Sequence, residues 1–148
     1  ACLGKFYYVT DRDSGAKQKV ESGEFDSTVG DRAKAAKTYR EVVVYDPDQI
    51  YPGYVILYDR LDGGKTVTAN DAPFHLELPA AGIENMDFAL NELLLWHGTD
   101  EESATAIAES GFLSGSAGTE KHGRRFGEGA YFAEDLAKNI GCAPESLA

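Results

Sequence analysis

The sequence predicts a single α+β domain that is mostly β. Its 148 residues are enough for one hydrophobic core and too few for two. Hydrophobic residues make up 43% and charged residues 26%, as is usual for a globular chain, and an aromatic share of 11% argues against disorder. Short runs of β-branched and aromatic residues, separated by Gly, Pro and Asp, outnumber the brief helical patterns between them.

The first part of the chain predicts three strands. Lys5–Thr10 is rich in β-forming residues and precedes a polar turn. Residues 17–40 are polar and interrupted by glycines, so we expect a loop there with a short helix at Arg32–Lys37. Glu41–Asp46 is the strongest strand pattern, and the third strand follows at Tyr54–Tyr58.

The second part begins after residues 61–82, whose Gly and Pro content and lack of periodicity predict a linker. Asn91–Gly98 predicts a buried strand that ends in a tight turn. Thr99–Glu102 then fits a capping box, with acidic residues in the first turn of the helix that follows. Gly111 suits the position just beyond the end of that helix.

The last elements follow a loop rich in glycine at residues 114–129. Ala130–Ala133 predicts a short strand, and a helix is expected to start within Glu134–Lys138. Gly123–Gly129 superficially resembles a phosphate-binding loop, but it precedes a strand and does not open a helix. A Rossmann or P-loop interpretation is therefore rejected.

Charge and composition exclude several classes of partner. The formal net charge is −11, which makes binding to nucleic-acid phosphates by this segment alone unfavourable. No run approaches the ~18 apolar residues of a membrane span, and no leader pattern at the start of the sequence predicts secretion. Cys2 and Cys142 lie near opposite ends without metal-ligand spacing, which favours two reduced thiols in an intracellular protein, nuclear or cytoplasmic.

Five stretches coincide with the motifs of one family. Leu94–Thr99 resembles a LLWHGT strand-turn, and Phe126–Glu134 resembles a FGxGxYFAE segment. Tyr39–Asp46 and Gln49–Tyr54 are similar to a closing EYVVYD and QxYPxY hairpin, and Leu3-Gly4-Lys5 resembles the strand before it. Over residues 3–60 and 83–139 the chain thus resembles the catalytic domain of poly(ADP-ribose) polymerases, which are ADP-ribosyltransferases of the diphtheria-toxin type.

This resemblance implies an ADP-ribosyltransferase fold, in which two antiparallel or mixed sheets pack together with short helices. It implies an NAD⁺-dependent glycosyltransferase that moves ADP-ribose to a protein acceptor and releases nicotinamide. NAD⁺ would be a co-substrate, no metal would be needed, and neither nucleic acid nor membrane would be a direct partner. A catalytically inactive fragment or a remnant that binds NAD⁺ or a partner is the alternative.

The resemblance also assigns roles to individual residues. His97 would bind the adenosine ribose, and Gly98 would bind the nicotinamide carboxamide through its backbone. Tyr131 would stack on the nicotinamide ring, and Glu41 would hold the reacting ribose and polarise the acceptor. Cleavage of NAD⁺ passes through an oxocarbenium-like state, which a nearby carboxylate stabilises. Further contacts to NAD⁺ are implied for the residues around these motifs: Thr99, Phe132, Ala133, Lys138 and Asn139.

The order of the motifs is reversed relative to the family. Residues 1–60 correspond to the C-terminal half of the catalytic domain and residues 83–148 to the N-terminal half, with the linker between them. A cut across two tandem domains, a circular permutation and an engineered assembly all explain this order. The tandem junction is favoured because the chain opens at Ala1 without Met. Asn139 and Cys142 also depart from the family's small residue and second stacking Tyr.

Overall fold

A computed structural model describes residues 1–31, 39–57, 84–113 and 125–140. The helix expected at Arg32–Lys37, the linker expected at 61–82 and most of the glycine-rich loop at 114–129 lie outside the described residues.

The centre of the molecule is a four-stranded mixed sheet in the order β1-β2-β3-β4. The strands are β1 (Phe6–Val9), β2 (Ser27–Asp31), β3 (Arg40–Val44) and β4 (Ala130–Ala133). β1 and β2 run parallel, and the other two pairs are antiparallel. A sheet with a few short helices fits the expected α+β class, although the described residues form one sheet and not two packed ones.

Within the described residues three α-helices accompany the sheet. α1 (Ala16–Glu21) connects the parallel strands β1 and β2, α2 (Glu101–Ser110) precedes β4, and α3 (Leu136–Ile140) follows it. The cap of α2 is Asp100, whose carboxylate accepts a hydrogen bond from the Ser103 amide at 2.7 Å, so the cap lies one residue after the Thr expected from the sequence. Gly111 ends the helix with φ of 77°, a value that favours glycine.

Three expectations about secondary structure were wrong. Residues 16–21 form α1 and residues 27–31 form the fully buried β2 where a loop was expected, because Gly30 and Asp31 are of types depleted in strands and weaken the pattern of β2. Tyr54–Leu57 makes no strand, and residues 91–96 contribute only isolated bridges at Glu92 and Trp96. A β-forming composition becomes a strand only where a neighbouring backbone completes the ladder.

The hydrophobic core lies on both faces of the sheet and joins the two parts of the chain. On one face Val42, Val44 and Phe132 pack in a cluster with Leu3, Val29 and Ile50. On the other face Val43 and Phe126 pack with Ala16. Each cluster therefore contains residues from before residue 57 and from after residue 84.

Tyr45 links the same two parts through a buried hydroxyl. It donates to the Phe126 carbonyl at 2.8 Å and bonds with Thr28 Oγ1 at 2.9 Å, and burial raises its pKa to about 12. We expect Tyr45→Phe to lower the free energy of unfolding by about 1–2 kcal/mol, because it leaves a buried carbonyl without its donor. Urea denaturation measures this loss. Tyr54→Phe, at a 44% exposed position, is the control and should change stability little.

Candidate active site

The candidate site is built around the end of β4. Ala133 lies opposite Glu41 of β3 on one side. On its other side Ala133 bridges Trp96, with backbone N–H···O distances of 2.9 and 3.0 Å. Because neighbouring strands lie about 4.8 Å apart, the backbones of Glu41 and Trp96 are about 10 Å apart. Two residues that are distant in sequence thus flank one short strand.

His97 follows Trp96 and is anchored to the backbone of β4. Its Nδ1 lies 2.9 Å from the Tyr131 carbonyl oxygen. A carbonyl can only accept, so Nδ1 carries the proton and Nε2 is left as an acceptor in the neutral ring. Surrounding protein atoms displace water from the ring and lower the pKa of His97, while the bond to Tyr131 opposes part of that effect. The neutral form is therefore favoured, although the residue as a whole is exposed.

Aromatic contacts fix the orientation of the His97 ring. Its centroid lies 5.1 Å from that of Phe112 in an edge-to-face arrangement and 5.5 Å from that of Phe132. Such edge and tilted geometries are the favourable ones for aromatic pairs. Phe112 directly follows the Gly111 that ends α2, so the end of this helix supports the histidine.

A groove of about 410 Å³ opens beside His97. Five of the residues predicted to contact NAD⁺ contribute to its wall, namely His97, Gly98, Thr99, Phe132 and Asn139. The remaining wall is mostly apolar and includes residues 50–56 and 93–96, with Ala104 and Ile107 of α2. A concave, largely apolar surface with a few polar groups is typical of a small-molecule site.

The backbone at Gly98 is packed closely against Asn139. A Cβ placed on Gly98 would lie 2.5 Å from the Asn139 carbonyl oxygen, so this position accepts only glycine without movement of α3. Asn139 is 8% exposed, and its buried amide nitrogen has no acceptor among the described residues. The larger side chain found where the family has a small residue therefore contributes to the groove wall.

Glu41 is held by a cation from α3. Lys138 Nζ lies 3.1 Å from Glu41 Oε1, and the two side chains are 26% and 12% exposed. The adjacent Arg40 pairs with Glu134 at 3.0 Å across the same two strands. Glu41 is thus a largely buried carboxylate whose charge is neutralised by a neighbouring lysine.

Tyr131 and Ala133 do not line the groove. The Tyr131 ring packs on the face of the sheet that carries Val43 and Phe126. Its hydroxyl donates to the Gly127 carbonyl at 2.8 Å and accepts from the Phe126 amide at 3.0 Å. Alternation along the strands puts Glu41 on the same face as Val43 and puts Phe132 on the face of the groove. The predicted triad is close in backbone position but divided between two surfaces, and its roles remain predictions.

The groove also contains residues that sequence reasoning did not assign to a site. Phe112, Trp96 and Leu95 line it without belonging to any predicted set of contacts. For Phe112 a signal was present, since a hydrophobic residue just beyond a helix-ending glycine commonly packs back on the last turns. For the others the sequence showed only apolar character.

The described residues contain neither a membrane-spanning helix nor a group of metal ligands. No helix there is long and apolar enough to cross a membrane. No three His, Cys, Asp or Glu side chains within the described ranges are grouped as metal ligands.

Comparison with known proteins identifies the second part of the chain. Residues 80–146 match the family model of the poly(ADP-ribose) polymerase catalytic domain. Comparisons with curated proteins and with solved structures find no match. The matched residues include the histidine strand-turn and the tyrosine strand, while Glu41 lies outside them. Over this stretch the chain matches the poly(ADP-ribose) polymerase catalytic domain family, which its motifs resemble.

Proposed function

We propose that this protein transfers ADP-ribose from NAD⁺ to a protein acceptor and releases nicotinamide. The observation that carries the proposal is the pairing of β3 with β4, with Trp96 bridged to the other side of Ala133. This arrangement brings the backbone of Glu41 from one part of the chain within two strand spacings of the backbone of His97 from the other, with the Glu41 side chain on the face of the sheet opposite the groove. The family match over residues 80–146 supports ADP-ribosyltransferase activity at this place.

His97 suits the binding of a sugar hydroxyl. Its Nδ1–H is occupied by the Tyr131 carbonyl, so Nε2 of the neutral ring can accept a hydrogen bond from the adenosine ribose. The aromatic contacts with Phe112 and Phe132 hold the ring in place before ligand arrives. Such preorganisation reduces the entropy cost of binding.

Glu41 suits the chemical step. The bond between nicotinamide nitrogen and ribose C1′ breaks with its electron pair leaving on nicotinamide, and positive charge develops on the ribose. A carboxylate near that ribose stabilises the charge and accepts a hydrogen bond from the sugar. The acceptor's nucleophilic atom then bonds to C1′ and releases its proton, for which Glu41 is the proposed base. Lys138 orients the Glu41 carboxylate through the ion pair before the substrate binds.

The groove suits the nicotinamide ring. Phe132 and Trp96 contribute apolar wall, and Gly98 provides a backbone position free of a side chain. Asn139 lines the groove beside that glycine, and its buried amide nitrogen has no acceptor among the described residues, so we propose it as a donor to the ring's carboxamide.

Binding without catalysis is a second candidate, and one observation favours it. The groove wall contains neither Glu41 nor the Tyr131 side chain, both of which belong to the predicted triad. A protein that binds NAD⁺ in the groove without transferring its ADP-ribose would have this arrangement.

Incubation with NAD⁺ labelled in its adenylate part tests the proposal. We expect nicotinamide release and covalent label on protein with the wild-type chain, and loss of both with His97→Ala and with Glu41→Gln. Calorimetry with NAD⁺ runs beside the assay. Binding of NAD⁺ with no label transfer by the wild-type chain would establish the binding-only function, and absence of binding would refute both.

NAD⁺ binding is expected to weaken at acid pH. The pKa of His97 lies below its ordinary value of 6.5, so the ring is neutral at pH 7 and remains so somewhat below 6.5. As pH falls through the lowered pKa, Nε2 gains a proton and becomes a donor, and the hydrogen bond from the ribose is lost. Folding stability depends on the same protonation. The contribution of the neutral ring to the free energy of unfolding is complete above pH 6.5 and is lost as the pH falls through the lowered pKa.

Affinity for NAD⁺ measured by calorimetry between pH 5 and 8 checks this expectation. The matched control is His97→Gln, which removes the titrating group, so its weaker binding should vary less with pH. An equal slope in the two proteins would show that another group controls the dependence.

A further inference from the structure

The contacts that stabilise this molecule run between two segments of the chain. We name residues 1–57 the leading segment and residues 84–140 the trailing segment. Within the described residues β4 is the only strand of the trailing segment, and its ladder partner is β3 of the leading segment. Phe126 packs in one cluster with Val43 of the leading segment, and Phe132 packs in the other with Val42 and Val44. Among the described residues, the trailing segment therefore has no strand of its own that could pair with β4.

Polar contacts between the leading and trailing segments make their association specific. Arg40 pairs with Glu134 and Glu41 with Lys138, at 3.0 and 3.1 Å. The Tyr45 hydroxyl donates to the Phe126 carbonyl. At the edge, the Leu93 amide donates to the Ala1 carbonyl at 2.8 Å. Together with the four-residue ladder, these contacts fix one register between the segments.

Residues 58–83 join the segments covalently, and every contact named above forms without them. Fully extended, a connection of that length reaches up to roughly 90 Å, several times the distance across one sheet. The boundary between the segments can therefore close within one chain or between two chains, with identical contacts in both cases.

We propose that two copies of this chain exchange leading segments and form a closed dimer. In that dimer β3 of one copy pairs with β4 of the other, so each candidate site combines Glu41 from one chain with His97 from its partner. Domain swapping needs no new interface, because the exchanged contacts are those of the closed monomer. At low protein concentration the two segments of one chain associate with each other, and at high concentration segments of two chains associate. The two states should be equally populated at a concentration on the order of 1 mM.

A disulfide between the two segments shows whether they have associated within one chain or between two chains. Val44 and Ala130 lie directly opposite each other in the β3–β4 ladder. Opposite residues in an antiparallel pair have Cα atoms about 4.5–5.5 Å apart, within the range that a disulfide spans. Val44→Cys and Ala130→Cys are introduced together, with Cys2→Ser and Cys142→Ser to remove other thiols. The chain is unfolded, refolded at several concentrations, oxidised and run on a denaturing gel without reductant.

We expect only an intrachain bond after refolding at ~1 μM, and covalent dimer as a substantial fraction after refolding at ~1 mM. Val44→Cys alone is the control, and it should give no dimer because its opposite residue stays Ala130. As a second measurement, unmodified light and isotopically heavy chains are refolded together at ~1 mM and examined by native mass spectrometry. A covalent dimer of the double-cysteine variant together with a mixed-mass dimer supports exchange. Intrachain bonds only, at every concentration, overturn it whether or not a mixed-mass dimer forms, and so does equal dimer from the single-cysteine control.

Discussion

Replacing Glu41 with Gln is expected to lower the rate of nicotinamide release by about 10²–10³-fold while NAD⁺ still binds. Gln has nearly the same shape, so it can keep a hydrogen bond to the sugar, but it has no negative charge to oppose the oxocarbenium-like ribose. Because a charge that acts only in the transition state does not affect substrate binding, kcat should fall while the Kd for NAD⁺ changes little. Initial rates at saturating NAD⁺, with calorimetry for binding, measure the two quantities.

Lys138→Gln is the matched control, since it breaks the same ion pair from the other side. If Glu41 only anchors α3 through Lys138, the two variants should lose activity and thermal stability together. If Glu41 acts on the ribose, Glu41→Gln should lose far more activity than Lys138→Gln at similar melting temperatures. Equal losses in the two variants would therefore refute the proposed chemical role for Glu41.

The parts of the fold that the sequence predicted well are those whose local pattern and tertiary environment agree. Val42, Val43 and Val44 form a continuous apolar run, and all three are buried in β3. Val43 lies on one face of the sheet, and Val42 and Val44 lie on the other. Ala130–Ala133 was predicted with the bounds that β4 has. β2 was missed because Ser27, Thr28 and Gly30 are buried by neighbours that are distant in sequence, a property that no local pattern contains.

The candidate site likewise has residues that the sequence predicted and contacts that it did not predict. Motifs drew attention to His97, Gly98 and Glu41, because the chemistry of NAD⁺ cleavage demands particular groups in recognisable sequence surroundings. The pairing of Glu41 with Lys138 and the bond from His97 to the Tyr131 carbonyl depend on which strand lies beside which. The register between β3 and β4 determines both contacts, and a reversed order of motifs gave no way to predict that register.

The second large effect is expected at Gly30, whose backbone lies against the ring of Phe126. A Cβ on Gly30 would overlap the ring of Phe126, which is fully buried. Gly30→Ala should therefore lower the free energy of unfolding by about 1–3 kcal/mol, as overpacking of a core does. For a chain of this length that corresponds to a fall in Tm of roughly 4–12 °C. Gly53→Ala is the control, because no atom lies within 4 Å of the Cβ position there.

A double variant tests whether the ring of Phe126 causes the loss. Phe126→Leu alone removes buried aromatic surface and should destabilise the protein by leaving a cavity. In the presence of Phe126→Leu the added methyl of Gly30→Ala has room, so the double variant should be about as stable as Phe126→Leu alone. Urea denaturation of all four proteins gives the coupling energy, expected to be about 1–3 kcal/mol and opposite in sign to the single losses. Strictly additive losses would mean that Gly30 is required for its backbone conformation, and that Phe126 does not hold the leading and trailing segments together at this contact.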